Sequence, residues 1–355
     1  MMFGKSCQVM VKPTGSVCNL DCKYCFYLEK EKLYPDRKNH YKMSEETLEL
    51  FISKTIVNTF QTNGILINDD WATFFREHDF LVGVSIDGDA ALHDEWRVTR
   101  SGKPTHEKVE NAVRCLAQHD VEFNTLTVVN RTNMHHPVQV YRYLKSVGSR
   151  YMQFIPLVER CGENGLAQPQ DKHIAMTPWS VDSLQFGQFL NAVFDIWIRE
   201  DIGDIGIQLF EQTLAAWCGL PPQVCVFAPT CGSAFAMEMN GDVYNCDHFV
   251  YPQFKLGNIH QKTLRQMNQG EQNRQFGSDK QRSMAQECHR CQWKFACYGG
   301  CPKHRFLPSA SGATNHNYLC AGYQAFFSHT ATAMSAMRTL YEKGISLAEI
   351  KSIFV

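Results

Sequence analysis

The sequence predicts an α/β protein: a partial parallel (β/α) barrel in its first half, followed by a cysteine-rich extension. Three observations carry this. Apolar strands alternate with amphipathic helices as far as Pro156, the pattern of a parallel sheet covered by helices. Beyond Gly219 the chain changes to short strands, turns and cysteines. Finally, 15 cysteines in 355 residues fall mostly into two groups rather than being scattered.

Taken in order, Gln8–Val11 is a short apolar strand that leads into the first cysteine loop. Ser44 is placed to cap a helix running to about Val57, with Glu45 and Glu46 in its first turn, where carboxylates meet the positive helix end. Helix at Trp71–His78, strand at Phe80–Ile86, helix at His106–His119, strand at Phe123–Val129, helix at Val138–Val147 and strand at Tyr151–Pro156 follow from the apolar periodicity. Functional side chains are then expected at the strands' carboxyl ends. The polar loop Cys161–Gln170 marks a boundary, which divides the chain into a barrel at 1–165, a helical connector at 166–219, a cysteine-rich domain at 220–325 and a C-terminal helical region at 326–355. Val181–Arg199 and Tyr323–Tyr341 read as long helices. Asn240-Gly241, between the apolar runs Ala236–Met239 and Val243–Tyr244, is a hairpin turn signal.

With 44% hydrophobic residues, 20% charged residues and a net charge of −1, the chain has no basic excess for a nucleic-acid partner. It has no apolar run long enough for a membrane span, and Met1–Lys12 has no signal-peptide pattern. The expected location is cytoplasmic, where thiols stay reduced, so the cysteines point to metal ligation rather than disulfides. Cys115, among Val113 and Leu116, reads as a small core residue.

Cys18, Cys22 and Cys25 give Cys-x3-Cys-x2-Cys. Three thiolates on one loop hold three irons of a cubane cluster and leave the fourth open for a ligand, as a catalytic metal site requires. A zinc loop completed by His40 is the bland alternative. This loop, with Phe26-Tyr27-Leu28-Glu29-Lys30 after it, resembles the radical S-adenosylmethionine enzymes, specifically the anaerobic sulfatase-maturating branch. Gln61-Thr62-Asn63-Gly64, Val82–Gly88, Gln153-Phe154-Ile155-Pro156 and Asn245-Cys246-Asp247-His248 resemble the same branch, in the same order. The resemblance implies that the open iron binds S-adenosylmethionine and that an electron from the cluster cleaves it to a 5′-deoxyadenosyl radical. It matches Tyr24, Ser85 and Val158 to positions near that cofactor, and Tyr27 and Gln61 to positions on the substrate side.

Eight further cysteines suffice for two fully ligated four-iron clusters, making three [4Fe-4S] clusters in all. Spacing alone leaves their partition open and equally allows two four-cysteine zinc sites. The segment resembles the SPASM extension of the same family. That resemblance implies one cluster on Cys225, Cys231, Cys246 and Cys301, and another on Cys288, Cys291, Cys297 and Cys320. It also implies that Asp247 is the general base. An aspartate that merely orients a ligand is the alternative reading. Cys218 has no place in this scheme.

The pattern breaks once. The family's Gly-Gly-Glu-Pro element has no counterpart here, since Gly299-Gly300 is followed by Cys301 and the first helix runs on toward Phe60 and Gln61. Roughly forty residues are absent by this comparison, about the size of one strand and one helix of a βαβ unit. The implied activity is oxidation of a cysteine or serine of a sulfatase polypeptide to formylglycine (3-oxoalanine), with flavodoxin or ferredoxin as electron donor. Thioether formation in a peptide is the rival chemistry. A non-catalytic cluster-binding relative, disabled by the missing element, is the rival class.

Overall fold

The computed structural model describes residues 8–34, 42–52, 59–162, 165–166, 171 and 175–353. The chain opens with β1 (Gln8–Lys12), passes through the first cysteine loop and forms α1 (Glu45–Ile52). The rest of the helix expected to reach Val57 lies outside the described residues. After it comes β2 (Thr59–Thr62), a strand absent from the sequence reading, in which the helix runs on toward Phe60 and Gln61. Four residues are too few for a periodicity to register, but Thr59, Phe60 and Thr62 suit a pleated surface.

β2 is the first strand of an all-parallel sheet whose order is β2, β3 (Leu81–Ser85), β4 (Phe123–Val129), β5 (Tyr151–Pro156) and β6 (Gly206–Ile207). Val82, Val84 and Ile86 at β3 are fully buried, as a sheet covered by helices requires. Thr127, buried on β4, satisfies its hydroxyl by donating to the Ile86 carbonyl at 2.7 Å. The covering helices are α2 (Asp69–Glu77), capped by Asn68, α3 (His106–Gln118) and α4 (Pro137–Ser146). On α3 the buried residues Val109, Ala112, Val113 and Leu116 recur at helical spacing and form its inner stripe.

α5 (Ser183–Glu200), capped by Asp182, and α6 (Gln208–Trp217) continue the same core. The C-terminal helix α7 (Cys320–Glu342) returns to lie on α5. The two axes approach so closely that a Cβ on Gly187 would overlap the Gly322 carbonyl, and one on Gly322 would overlap the Ser183 carbonyl. Phe194, Trp197, Phe210 and Phe326 stack around this crossing, and each fully buried aromatic side chain contributes about 1.5–3 kcal/mol.

The cysteine-rich part contains the expected hairpin, β7 (Ala234–Glu238) and β8 (Asp242–Tyr244), turning at Gly241 with φ +82°. β9 (Lys255–Asn258) extends it, and β10 (Arg305–Pro308) pairs with β11 (Thr314–Asn317). One strand departs from the sequence reading. β1 pairs in parallel with β7 and not with the barrel sheet, so among the described residues β1 and β2 each end a sheet. Such edges leave a row of backbone donors and acceptors open.

Candidate active site

The loop Cys18–Cys25 is held along the segment that follows β3. Leu20 bridges to Thr99, Asp21 N–H donates to the Val98 carbonyl at 3.0 Å, and Lys23 N–H donates to Trp96 at 3.1 Å. From the end of β2, the Asn63 amide donates to Asn19 at 2.8 Å and reaches the Cys18 sulfur at 3.8 Å. Burial pushes the Cys22 thiol up to about 12; Arg97 opposes this, and charges on Cys25, Asp87 and Cys18 add to it. Such a thiol stays protonated in water and ionises outright only when a metal ion takes the proton's place.

Beneath the loop lies a group that sequence reasoning missed. Asp87, fully buried just past β3, accepts from the Tyr24 hydroxyl, from Arg97 Nε at 2.9 Å and from Val128 N–H at 2.9 Å. The Tyr24 hydroxyl therefore anchors the loop. Ser85 is buried at the carboxyl end of β3, and Val158 is buried just beyond β5. Gln61 stands exposed on β2, at the open sheet edge.

Asp247 sits where the barrel and the cysteine-rich part meet. Its Oδ1 accepts from the Cys246 thiol at 3.1 Å. Burial raises its carboxyl, but His248, the Cys246 hydrogen bond, Lys12 and Lys303 outweigh that and hold it below the ordinary carboxylate value. His248 is itself held low by burial, so at neutral pH the charges that remain are Lys12 and Lys303. Lys12 lies 4.5 Å from the Tyr27 ring centre, and Lys303, paired with buried Glu159, lies 4.4 Å from that of Phe26. The Tyr27 hydroxyl donates to Glu238, which ends β7.

Eight further cysteines come together as two quartets. Cys301 faces Cys225, Cys231 and Cys246 closely enough that a charge on one penalises a charge on another. Cys297 and Cys320 stand in the same relation to each other and to Cys288 and Cys291. Two buried cations serve them. Lys280 donates to the Cys225 carbonyl at 2.6 Å and faces the first quartet. Arg305 donates to the Gly299 carbonyl at 3.0 Å and faces cysteines of both. A buried cation without a carboxylate is costly unless anions stand near it, and thiolate-ligated clusters are such anions. The donor set thus suits iron–sulfur clusters, with three thiols on the loop and four in each quartet. Cys218 ends α6, facing Arg338 and Glu342.

The iron–sulfur cluster-binding SPASM domain family matches residues 225–292. The serine-type anaerobic sulfatase-maturating enzyme of Bacteroides thetaiotaomicron is 42% identical to this chain, covering 95% of it and 92% of the relative. The cysteine-type enzyme of Clostridium novyi is 28% identical over 91% of this chain and 95% of its own length. Among solved structures, anSMEcpe with bound AdoMet matches with a TM-score of 0.82 at 28% identity, covering 98% of both chains. The same protein with AdoMet and the Cp18Cys peptide matches with a TM-score of 0.80, over 94% of this chain and 98% of the other. The alignment to the Bacteroides relative spans 382 positions against the 355 residues of this chain, so that relative carries residues for which this chain has none.

Proposed function

The chain belongs to the anaerobic sulfatase-maturating enzymes, and on that premise we propose that it oxidises a serine or cysteine of a sulfatase polypeptide to formylglycine. The observation that carries this reading is Asp247, a carboxylate that lies directly beside Cys246. Its cofactors are S-adenosylmethionine and three [4Fe-4S] clusters. When bound, they supply a hydrogen-abstracting radical and the means to deliver and collect single electrons.

The target side chain gives up one hydrogen atom from its β-carbon, one proton from its oxygen or sulfur, and one electron. Asp247 takes the proton. Cys18, Cys22 and Cys25 hold the cluster with the open iron. Cys225, Cys231, Cys246 and Cys301 hold one auxiliary cluster, and Cys288, Cys291, Cys297 and Cys320 hold the other. Placing Cys246 next to Asp247 keeps proton and electron acceptance within one residue step. Tyr24 and Asp87 fix the loop, Ser85 and Val158 line the cofactor side, and Tyr27 and Gln61 face the peptide. The reducing electron comes from a flavodoxin or ferredoxin, and the reaction takes place in the cytoplasm. No described helix is long and apolar enough to cross a membrane.

The test is incubation of the anaerobically reconstituted protein with a sulfatase peptide and S-adenosylmethionine. Conversion removes two hydrogens from serine; from cysteine it first gives a thioaldehyde, which water hydrolyses to the aldehyde with release of hydrogen sulfide. An unchanged peptide mass with full iron loading overturns the proposal. A thioether crosslink also removes two hydrogens, so labelling of the product aldehyde with a hydrazine distinguishes formylglycine from it. The two open edges at β1 and β2 favour a second reading, a relative that binds clusters without cleaving the cofactor. Release of 5′-deoxyadenosine under dithionite, without peptide, separates the two readings.

A further inference from the structure

Cys115 lies outside both cysteine groups, and it is not the enclosed core residue that Val113 and Leu116 suggested. It is partly exposed near the C-terminal end of α3, and its thiol reaches Asp69 Oδ1 at 3.5 Å. His119, one turn further on, places Nε2 at 3.0 Å from the same oxygen. Asp69 is the exposed first residue of α2. The three donor atoms lie within 4.8 Å of one another. We propose that Asp69, Cys115 and His119 form a zinc site that clamps α2 to α3, with water as the fourth ligand.

Geometry, ligand chemistry and placement support it. A tetrahedral zinc with bonds of about 2.3 Å to sulfur and about 2.0–2.1 Å to nitrogen or oxygen sets its ligand atoms roughly 3.3–3.6 Å apart. The two separations from Asp69, 3.0 and 3.5 Å, are close to that, and the third, within 4.8 Å, closes by rotation of the Cys115 and His119 side chains. One thiol, one imidazole and one carboxylate make a borderline donor set that suits zinc and is wrong for calcium or magnesium, which take oxygen. Cys115 and His119 stand four apart on one face of a 13-residue helix, at the end where the helix dipole is negative and favours a cation. Zinc would also reverse the local electrostatics. Burial and the Asp69 carboxylate now push the Cys115 thiol up, whereas a bound dication draws off its proton as it coordinates. With thiolate and carboxylate both charged and the imidazole neutral, the loaded site carries no net charge. None of the three residues takes part in the proposed maturation chemistry, so this site stands or falls independently of it.

The experiment uses the cluster-loaded protein and zinc alone. Excess zinc is removed by gel filtration, and zinc and iron are measured together in wild type, Asp69→Asn and His119→Gln. Wild type should retain one zinc per chain; each variant should lose it with iron content and cofactor cleavage unchanged. Zinc-edge X-ray absorption should show one sulfur at about 2.3 Å with lighter atoms near 2.0 Å. No zinc on wild type, or equal zinc on all three proteins, overturns the proposal. So does a zinc surrounded by sulfur alone, which would place it on cluster cysteines. Asp69 is exposed, so its substitution spares the fold even if His119 also serves packing.

Discussion

The two cysteine regions fix their thiols in different ways. The first has three cysteines on one short loop, which the fold holds through backbone bonds to Val98 and Trp96 and, from below, through the buried carboxylate Asp87, shared by Tyr24 and Arg97. The second gathers eight cysteines from distant stretches and carries its own cations, Lys280 and Arg305, inside. A region short of a ligand relies on the barrel for position and remains open to a small molecule. A region with full quartets is closed, and its electrostatics depend on lysine and arginine within it.

That contrast can be broken one region at a time. The largest effect is expected at Asp247. Asp247→Asn should slow peptide oxidation about 10²–10⁴-fold, while 5′-deoxyadenosine release and total iron stay at wild-type levels. Loss of iron instead would make Asp247 a structural residue. Asp87→Asn leaves Arg97 buried without its counter-charge and should cost about 3–5 kcal/mol of stability. Iron analysis should show one cluster missing, the first, with the two quartets retained; an intact first cluster would show that the loop needs no such anchor.

Lys30 joins the regions, donating to the Val250 carbonyl at 3.2 Å with its ammonium 3.4 Å from the Tyr251 ring centre. Burial, aided by Lys303, lowers its pKa from 10.5 to about 8. Between those values the unfolded chain still holds a proton that the folded protein has shed, so stability rises with pH across that window. Denaturant titrations at the two ends should differ by about 3 kcal/mol more in wild type than in Lys30→Met. Equal slopes would mean that Lys30 reaches solvent. The smallest effect concerns the shared core. Gly322→Ala should cost about 1–3 kcal/mol in thermal or denaturant unfolding, because α5 and α7 must part.

The parts of this molecule readable from sequence were those in which spacing along the chain is the signal. Cys18, Cys22 and Cys25 lie on one loop, so their count and separation announce an incomplete cage. The alternating strands and helices from Leu81 to Pro156 were legible because each apolar stripe is long enough to show its period. Asp87 and Arg97 were not legible. They are ten residues apart and look like any carboxylate and guanidinium until the fold buries both. Lys280 hides for a similar reason, within the polar helix Glu271–Arg282, whose composition suggests solvent. β2 escaped through brevity. β1 is legible as a strand, but its pairing with β7 is not, since pairing depends on what stands beside it. Cys115 does pack against the core, but its contact with Asp69 is not legible because that partner comes from another helix.

The close approach of Gly187 and Gly322 also fixes a timetable. α5 cannot complete its packing until α7 arrives, and α7 starts at Cys320, more than a hundred residues later in synthesis. The barrel's inner layer therefore waits, half-covered, while the intervening cysteines emerge. Cluster insertion and the closing of that layer converge on a stretch made late, so cells short of iron should accumulate an open, protease-sensitive chain and not a folded protein without metal.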